Sequence, residues 1–352
     1  MDDRRAVLDD ATARAWAVVL AGGEGIRLRS VTCAIVGDDR PKQYVPLMGA
    51  DSLLRQTLGR AARLSPTERT VVVSQERHAG WLAPEFAADH RPKVLLQPEN
   101  KDTAAGVMLP VYWIAARDPE ATVVVFPSDH FVLEEAAFVA HVAEVVAFVE
   151  RQRDRVVLLG ARATEPDTKH GWIEPGEAVG ATTSGRISRV ARFREKPKRE
   201  AAAMCLAREW LWNTFVMVAK ARTLVSVADV LLPELHRRLT AVTPLLGTKH
   251  EAWAIRQAYE SLPRQNCSET LLQAALPFLA GVGAAAAHLV GSRNATATVQ
   301  APPNAEDLAG LDARSPAGPR CRPASRLKAP PPASARSGGH RGVGRGASRR
   351  AR

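Results

Sequence analysis

The sequence contains little cysteine and no long run of apolar residues. Its four cysteines (Cys33, Cys205, Cys267 and Cys321) are scattered, and none forms a CxxC pair or another spacing typical of a metal site. Such cysteines predict reduced thiols in a cytoplasmic protein. The apolar run at 15–21 has only seven residues and follows four aspartates within the first ten positions. We therefore expect a buried strand here rather than a signal peptide, and no stretch is long enough to predict a membrane span.

Most of the chain has little excess of positive over negative charge, although the net charge is +11. Residues 301–352 hold 11 of the 48 Lys and Arg and 3 of the 37 Asp and Glu, so +8 of the charge lies in this segment. The rest of the chain is close to neutral, and we expect neither a membrane nor a nucleic-acid partner for it. A tail that binds nucleic acid is a rival hypothesis, which the lack of aromatic residues for base stacking weakens.

Aromatic residues are absent after Phe278. Residues 301–352 contain eight prolines and are rich in Ala, Arg, Ser and Gly, so they can bury too little apolar surface to offset the entropy of ordering. We predict an N-terminal extension at 1–14, one folded domain at 15–280, and a basic, low-complexity, disordered tail at 281–352.

Within the predicted domain, short apolar runs rich in β-branched residues alternate with longer helical patterns. This order predicts an α/β fold of Rossmann-like architecture, with a mainly parallel central sheet and helices on both faces. Ligands bind such sheets beyond the carboxyl ends of the strands. The predicted strands are 16–22, 70–75, 93–97, 122–129 and 155–161, and the predicted helices are 52–64, 103–118 and 135–152.

The stretch LAGGEGIRL follows the first predicted strand. Gly22, Gly23 and Gly25 let backbone N–H groups approach a ligand, and Arg27 adds a permanent charge with a bidentate donor fork. Together with the N-terminus of a following helix, they predict a polyphosphate site. The loop is not a Walker A motif, because no GxxxxGK(S/T) occurs in the sequence. It is not GxGxxG either, because Leu28 stands at the place of the third glycine. The alternative is a tight strand–helix turn without a ligand.

Charged residues follow two further predicted elements. In the motif RPKQYVPL, Lys42 could be a second counter-charge for phosphate, or a solvated surface lysine. In FPSDH, Asp129 follows a buried strand, where a carboxylate can hold Mg²⁺ against a triphosphate. The alternative is that Asp129 caps the next helix, with His130 packed beside it.

Three later motifs could form a sugar pocket. FREKP provides Lys196 for a phosphate and Glu195 for sugar hydroxyls, with a surface ion pair as the alternative. LWNTFVMV buries Asn213, whose amide needs hydrogen-bond partners that a sugar could supply. HGWIEPG has turn signals that could shape the pocket around Gly171. Each of these motifs alone is more often structural than part of a site.

In this order the motifs resemble those of the sugar-phosphate nucleotidyltransferases, most closely the mannose-1-phosphate guanylyltransferases, over residues 15–280. LAGGEGIRLRSVT matches the glycine signature of the family, PKQ its Pro-Lys-Gln element, FPSDH its metal-aspartate element and FREKP its Glu-Lys-Pro element. HGWIEPG and LWNTFVMV resemble its Tyr-Gly-Tyr-Ile and Trp-Asn-Ser-Gly-Met-Phe elements. LLQPENKDTAAG resembles its Glu-Pro element, with Gln97, Lys101 and Asp102 at substituted positions.

The resemblance implies transfer of a nucleotidyl group from GTP to mannose 1-phosphate, with Mg²⁺ as the cofactor and GDP-mannose and pyrophosphate as products. It implies catalytic roles for Arg27, Lys42 and Asp129, with the metal on Asp129. The implied sugar-phosphate-binding residues are Gly171, Glu195, Lys196 and Asn213. The implied nucleotide-binding residues are Ala21, Gly22, Gly23, Gly25, Arg27, Gln97, Thr103 and Ser128. A homodimer stays open, and thymidylyl- or uridylyltransferase activity is the alternative within the family.

One element of the family is missing from the sequence. The family carries a second metal aspartate in a Trp-Ser-Asp-Trp-Gly type element, but no acidic residue occurs here between Glu269 and Glu306. The abrupt loss of acidic and aromatic residues suggests a shifted reading frame, a hypothesis that sequencing the locus in this protein and its close relatives would test. A catalytically impaired protein that binds nucleotide sugars is therefore the alternative to an active enzyme.

Overall fold

A nine-stranded sheet is the centre of the fold. The computed structural model describes residues 8, 11–47, 49–86, 91–183, 185–273, 286–288 and 299–300. The strands of the sheet are β1 (Ala15–Leu20), β2 (Thr70–Gln75), β3 (Lys93–Gln97), β4 (Thr122–Pro127), β6 (Val156–Arg162), β7 (Trp172–Thr182), β8 (Gly185–Arg194), β9 (Leu211–Lys220) and β10 (Ala286–His288). Their order is β3-β2-β1-β4-β9-β6-β10-β8-β7. A second small sheet pairs β5 (Phe131–Val132) with β11 (Val299–Gln300).

The first four strands of the sheet are parallel. Strand β1 pairs with β2 on one side and β4 on the other, and β2 pairs with β3. Successive residues of β1 contribute to opposite faces, because Val18 packs in one apolar cluster while Ala17 and Val19 pack in the other. Burial on both faces explains why these strands are continuous apolar runs rather than alternating patterns.

Helices cover both faces of the sheet. They are α1 (Arg29–Val36), α2 (Leu53–Ala62), α3 (Ala79–Leu82), α4 (Asp102–Ala115), α5 (Glu135–Arg151), α6 (Arg199–Ala207), α7 (Ala221–Leu231), α8 (Pro233–Val242) and α9 (Glu251–Tyr259). Helices α4, α7, α8 and α9 pack against one face, and α2 and α5 pack against the other. Among the described residues, no helix is long and apolar enough to cross a membrane.

The predicted α/β fold is confirmed, with its mainly parallel core and its helices on both faces. Each of the five predicted strands and three predicted helices is present, and their ends differ from the prediction by at most three residues. The antiparallel strand β9 between β4 and β6 and the β7–β8 hairpin were not predicted. Composition carries no strand direction, and the hairpin is half exposed, so its sequence lacks a continuous apolar run.

The structure tests the prediction of reduced cysteines at three positions. Cys205 and Cys267 are free and buried. Cys33 in α1 is disulfide-bonded, so the prediction is wrong for this residue. Spacing along the chain does not show which cysteines a fold brings together, which explains the error.

Most of the predicted tail lies outside the described residues, as does the N-terminal extension apart from residues 8 and 11–14. Of residues 281–352, the structure describes only the short strands β10 and β11. The place of the missing second aspartate also falls mainly outside the described residues. The disordered tail and the shifted reading frame therefore stay predictions.

Candidate active site

The carboxyl ends of β1, β2 and β4 meet at one edge of the sheet, where hydrogen bonds join them. Ser128 donates both its backbone N–H (3.1 Å) and its hydroxyl (2.7 Å) to the carbonyl of Leu20, the last residue of β1. The N–H of Ala21 donates to the carbonyl of Val73 on β2 at 2.7 Å. These bonds place the glycine loop and Asp129 at the same edge, where parallel sheets bind ligands. The hydroxyl of Ser128, predicted to bind nucleotide, is buried and used within the protein.

The carbonyl groups of the glycine loop are turned toward the protein. Nε2 of Gln43 donates to the carbonyls of Ala21 (3.0 Å) and Gly23 (2.8 Å). Nε2 of Gln75 donates to the carbonyl of Gly22. The side chains of Gln43 and Gln75 thus bind three successive carbonyls, and this fixes the orientation of the peptide groups of the loop.

The N–H groups of the same loop are left without protein acceptors. Within the described part of the chain, those of residues 22–25 donate to no backbone or side-chain acceptor. Gly25 has a φ of +61°, and a Cβ there would lie 2.9 Å from the backbone nitrogen of Lys42. A Cβ at Gly23 would meet nothing within 4 Å, so this side of the loop is open. Gathered backbone N–H groups around a glycine turn can hold an anion.

A lysine and an aspartate face each other beside the glycine loop. Lys42 begins a short 3₁₀ turn after Pro41, and its Nζ lies 2.9 Å from Oδ2 of Asp129. Burial acts to raise the pKa of Asp129, but the Lys42 ammonium and the neighbouring His130 outweigh it and lower the pKa to about 2. The carboxylate is therefore ionised at neutral pH, and 36% of the side chain is exposed. The structure thus brings together the predicted phosphate lysine and the predicted metal aspartate.

A buried arginine on α2 fixes the turn that carries Asp129. Arg60 is 2% exposed and donates through Nη2 to the backbone carbonyl of His130 at 3.0 Å. Its Nη1 donates to the carboxylate of Glu135 at 2.9 Å, and its Nη2 also donates to Thr57 at 2.6 Å. Burial lowers the pKa of His130 to about 4, so its imidazole is neutral at pH 7.

The four residues predicted to bind the sugar phosphate form one cluster. The N–H of Asn213 on β9 donates to the carbonyl of Gly171 at 2.7 Å. A Cβ at Gly171 would lie 2.8 Å from Oε2 of Glu195, so glycine makes room for this carboxylate. Nζ of Lys196 lies 2.7 Å from Oε1 of Glu195. The ion pair that was the alternative interpretation of FREKP is therefore present, within a cluster that also contains Asn213 and Gly171.

His170 connects the sugar-side cluster with the aspartate side of the cleft. Its ring stacks on Trp212, with ring centroids 5.0 Å apart and an angle of 21° between the planes. The carbonyl of His170 accepts a hydrogen bond from the N–H of Lys196 at 3.2 Å. The ring also lies close enough to His130 to help lower the pKa of that residue. His170 thus contacts the sugar-side cluster directly and acts on His130 through its charge.

Two predicted nucleotide-binding residues lie on the β3–α4 side of the loop. Gln97 at the end of β3 is 5% exposed, and a Cβ at Gly22 would lie 2.9 Å from its Nε2. Thr103 in α4 accepts, through Oγ1, the N–H of Cys267 at 2.8 Å. Gln97 thus lies against the glycine loop, while Thr103 holds a later segment of the chain. The side chain of Arg27 is outside the described part of the structure, so its role stays a prediction.

Several residues that support the loop were not identified from the sequence. The hydroxyl of Tyr44 lies 2.8 Å from that of Ser74, and both contact the carbonyl of the first loop residue. The carboxylate of Glu24 accepts from Asn100 at 2.9 Å and from Arg77 at 2.6 Å. These residues come from separate elements and form no motif of their own. Gln43, which also supports the loop, differs from them because it belongs to the Pro-Lys-Gln motif.

Asp129 fits Mg²⁺ as a single carboxylate ligand. It is ionised and partly exposed beside a loop suited to phosphate. Mg²⁺ is usually held by one or two carboxylates, waters and substrate phosphates rather than by a cage of protein ligands. Among the described residues, no group of three or more His, Cys, Asp and Glu side chains could hold a metal by itself. The donor set therefore suits a metal whose coordination phosphate oxygens complete.

Comparison with known proteins identifies the family. Residues 16–249 match the nucleotidyl transferase family, and the chain belongs to it. The xanthan biosynthesis protein XanB of Xanthomonas campestris pv. campestris (strain B100) is 31% identical over 207 residues, which are 58% of this chain and 42% of that protein. A mannose-1-phosphate guanylyltransferase of Escherichia coli is 29% identical over 222 residues, which are 62% of this chain and 45% of that protein.

A solved structure from Thermus thermophilus has a similar fold. That protein, described as mannose-1-phosphate geranyltransferase, has a TM-score of 0.64 and 27% identity, over 79% of this chain and 75% of its own. The resemblance found in the motifs is thus confirmed at the level of the family. The chain spans less than half the length of the two curated relatives named above. All predicted site residues, from Ala21 to Asn213, fall within the range that the family matches.

Proposed function

We propose that the chain transfers a nucleotidyl group from a nucleoside triphosphate to a sugar 1-phosphate and releases pyrophosphate. GTP and mannose 1-phosphate are the favoured substrates, which would give GDP-mannose. The observation that carries the proposal is the Lys42–Asp129 pair, which lies beside a glycine loop whose N–H groups have no acceptor among the described residues. Relatives named mannose-1-phosphate guanylyltransferase support the choice of base and sugar.

The reaction needs positioning and charge neutralisation more than covalent chemistry. An oxygen of the sugar phosphate attacks the α-phosphorus, a new P–O bond forms, and the bond to the β-phosphate breaks. Pyrophosphate leaves with the electron pair of that bond, so no proton transfer is required. The loop N–H groups and Lys42 would hold the triphosphate and stabilise the negative charge that develops on the leaving group.

The sugar-side cluster would bind the second substrate. Lys196 offers a cation for the phosphate, and Glu195 and Asn213 offer polar groups for sugar hydroxyls. Mg²⁺ on Asp129, when bound, would supply charge neutralisation between phosphate oxygens. Asp129 contributes an ionised carboxylate for this purpose, because its pKa is lowered to about 2.

The test is release of pyrophosphate by the purified full chain with mannose 1-phosphate, Mg²⁺ and GTP, ATP, UTP or dTTP in turn. We expect release with GTP. Release with dTTP or UTP alone would replace the favoured substrate with the thymidylyl or uridylyl alternative.

A calorimetric titration with GTP separates the two remaining outcomes. Binding of GTP without release of pyrophosphate would favour the impaired nucleotide-binding protein. Absence of both binding and release with every nucleotide would contradict the proposed function altogether.

A further inference from the structure

A buried tyrosine contacts the predicted nucleotide-binding glutamine from outside the family-matched range. Tyr259 is the last residue of α9 and is 0% exposed. Its hydroxyl donates to Oε1 of Gln97 at 3.0 Å, and the carbonyl of Ala105 lies 3.3 Å from the same hydroxyl oxygen. Residue 259 lies beyond the matched range 16–249, and no sequence motif pointed to it.

The tyrosine determines which end of the Gln97 amide faces the glycine loop. The hydroxyl carries a single proton, and the nearer of its two oxygen partners is Oε1 of Gln97. Burial raises the pKa of Tyr259, which keeps the proton on the hydroxyl. Oε1 of Gln97 is therefore held on the tyrosine side. Nε2 is the end next to Gly22, where a Cβ would lie 2.9 Å away.

The amide nitrogen of Gln97 is available to a ligand. Among the described residues it donates to no acceptor, whereas its oxygen is already engaged. Two glycines enclose this amide, because a Cβ at Gly106 would lie 3.6 Å from Oε1 and one at Gly22 would meet Nε2. The amide therefore lies between the glycine loop and α4, as a donor of fixed orientation.

We propose that Tyr259 is a positioning residue for base selection: it fixes Gln97 so that the amide N–H selects a nucleobase with a carbonyl oxygen at the contacting edge. For a purine this oxygen is O6, which guanine and hypoxanthine carry. Adenine and 2,6-diaminopurine have an amino group there, which would set one donor against another. This inference rests on the proposed function, because it concerns the nucleotide of that reaction.

The test measures binding of four purine nucleoside triphosphates, so it does not depend on turnover. The probes are GTP, ITP, ATP and 2,6-diaminopurine riboside triphosphate, titrated into the full chain with Mg²⁺. We expect the wild type to bind GTP and ITP about equally, and the two nucleotides with a 6-amino group at least about tenfold more weakly. GTP and ITP differ only in the 2-amino group, so equal affinity shows that this group is not read and that the discrimination against ATP lies at the position-6 edge.

Tyr259→Phe removes one hydroxyl, so the side-chain amide of Gln97 can rotate and exchange the positions of its oxygen and nitrogen. We expect this variant to lose most of the tenfold preference, while its affinity for ATP and 2,6-diaminopurine riboside triphosphate stays the same or rises. The matched control is Tyr112→Phe, which removes a buried hydroxyl from the same core cluster, bonded to Nδ1 of His236 at 2.6 Å. A purely structural effect would lower all four affinities in parallel, in either variant.

Gln97→Glu gives a second test that does not depend on the tyrosine variant folding. A carboxylate offers only acceptors, so the preference should shift from GTP and ITP toward ATP and 2,6-diaminopurine riboside triphosphate, whose 6-amino group is a donor at the same edge. A wild type that binds 2,6-diaminopurine riboside triphosphate as well as GTP would overturn the inference. So would an unchanged preference in both folded variants. Failure to bind any nucleotide would contradict the proposed function itself, so the two failures are distinguishable.

Discussion

At the scale of single residues, the site depends on one pair of opposite charges. Asp129 and Lys42 come from different elements, and their side chains meet at 2.9 Å. The Lys42 ammonium, with His130 once its imidazole is protonated at low pH, outweighs the effect of burial on the pKa of Asp129 and lowers it. Neither member of the pair has this property in the sequence alone, where an isolated lysine is most often a solvated surface residue.

We predict that Asp129→Asn lowers turnover by at least about 100-fold, the size of effect seen when one preorganised electrostatic group is removed. The amide keeps the shape of the side chain but loses the charge that would hold Mg²⁺ and pair with Lys42. Pyrophosphate release at saturating substrates measures the effect. Asp154→Asn, at an exposed position, is the matched control and should keep wild-type turnover. A rate within about threefold of wild type in Asp129→Asn would remove the aspartate from the mechanism.

The same variant has a pH signature in stability. The pKa of Asp129 is lowered in the folded protein from 3.8 to about 2, so its charged form stabilises the fold above about pH 4. This contribution is lost as the pH falls from about 4 to 2. The difference in free energy of unfolding between wild type and Asp129→Asn should therefore shrink over that interval. Urea unfolding of both proteins across the interval measures it, and a constant difference would contradict the assignment of the pKa.

At the scale of elements, the glycine loop needs both a left-handed turn and an open side, and different glycines provide them. Gly25 needs its positive φ and the space beside the backbone of Lys42, whereas Gly23 faces open space. Gln43 and Gln75 hold the loop carbonyls from below. The loop is therefore a rigid turn with an open upper side, rather than a flexible segment that orders only around a ligand.

We predict that two alanine substitutions in this loop affect different properties, one the stability of the protein and the other its affinity for GTP. Gly25→Ala should destabilise the protein by about 2 kcal/mol or more. Residue 25 has a left-handed backbone conformation, and the added Cβ would lie 2.9 Å from the backbone nitrogen of Lys42. Gly23→Ala should leave stability within about 0.5 kcal/mol of wild type. Its Cβ stands on the open side of the loop, so affinity for GTP should fall about tenfold, the equivalent of one lost hydrogen bond. Denaturant unfolding and calorimetry measure the two quantities.

Gly37→Ala is the control for these two variants. Gly37 also has a positive φ, at the C-terminus of α1, but a Cβ there would meet nothing within 4 Å. It should cost about 1 kcal/mol through strain alone and leave GTP affinity unchanged. If Gly23→Ala binds GTP as tightly as Gly37→Ala does, the loop N–H groups do not contact the nucleotide.

At the scale of the whole molecule, the sequence was informative where burial is continuous. Strands β1, β2, β4 and β6 are buried on both faces, so their composition identified them. Strand β9 was missed as a strand although its apolar character was noted, because its antiparallel direction depends on pairing with β4 and β6. Pairing is a long-range property that local composition does not contain.

The candidate site likewise contains residues that local composition identifies and residues that only long-range contacts reveal. Motifs predicted the glycine loop, Lys42, Asp129 and the sugar-side cluster, because these residues follow strands or turns with recognisable composition. The residues that orient them, such as Arg60 under the Asp129 turn and Tyr259 behind Gln97, are single buried polar groups from distant elements. Only the fold brings such partners together, so sequence reasoning had no signal for them.

The charge distribution of the chain gives a test of the rival hypothesis that the tail binds nucleic acid. Residues 301–352 carry +8 of the net charge of +11, and the rest of the chain carries the site. Removing them should abolish any salt-dependent binding of nucleic acid, because such binding needs clustered cations. The same deletion should leave GTP affinity unchanged, because the residues of the proposed site lie outside the deleted segment. Filter binding across a salt series, with calorimetry on the same samples, measures both. Nucleic-acid binding that survives the deletion with its salt dependence intact would assign that activity to the nucleotidyl transferase domain.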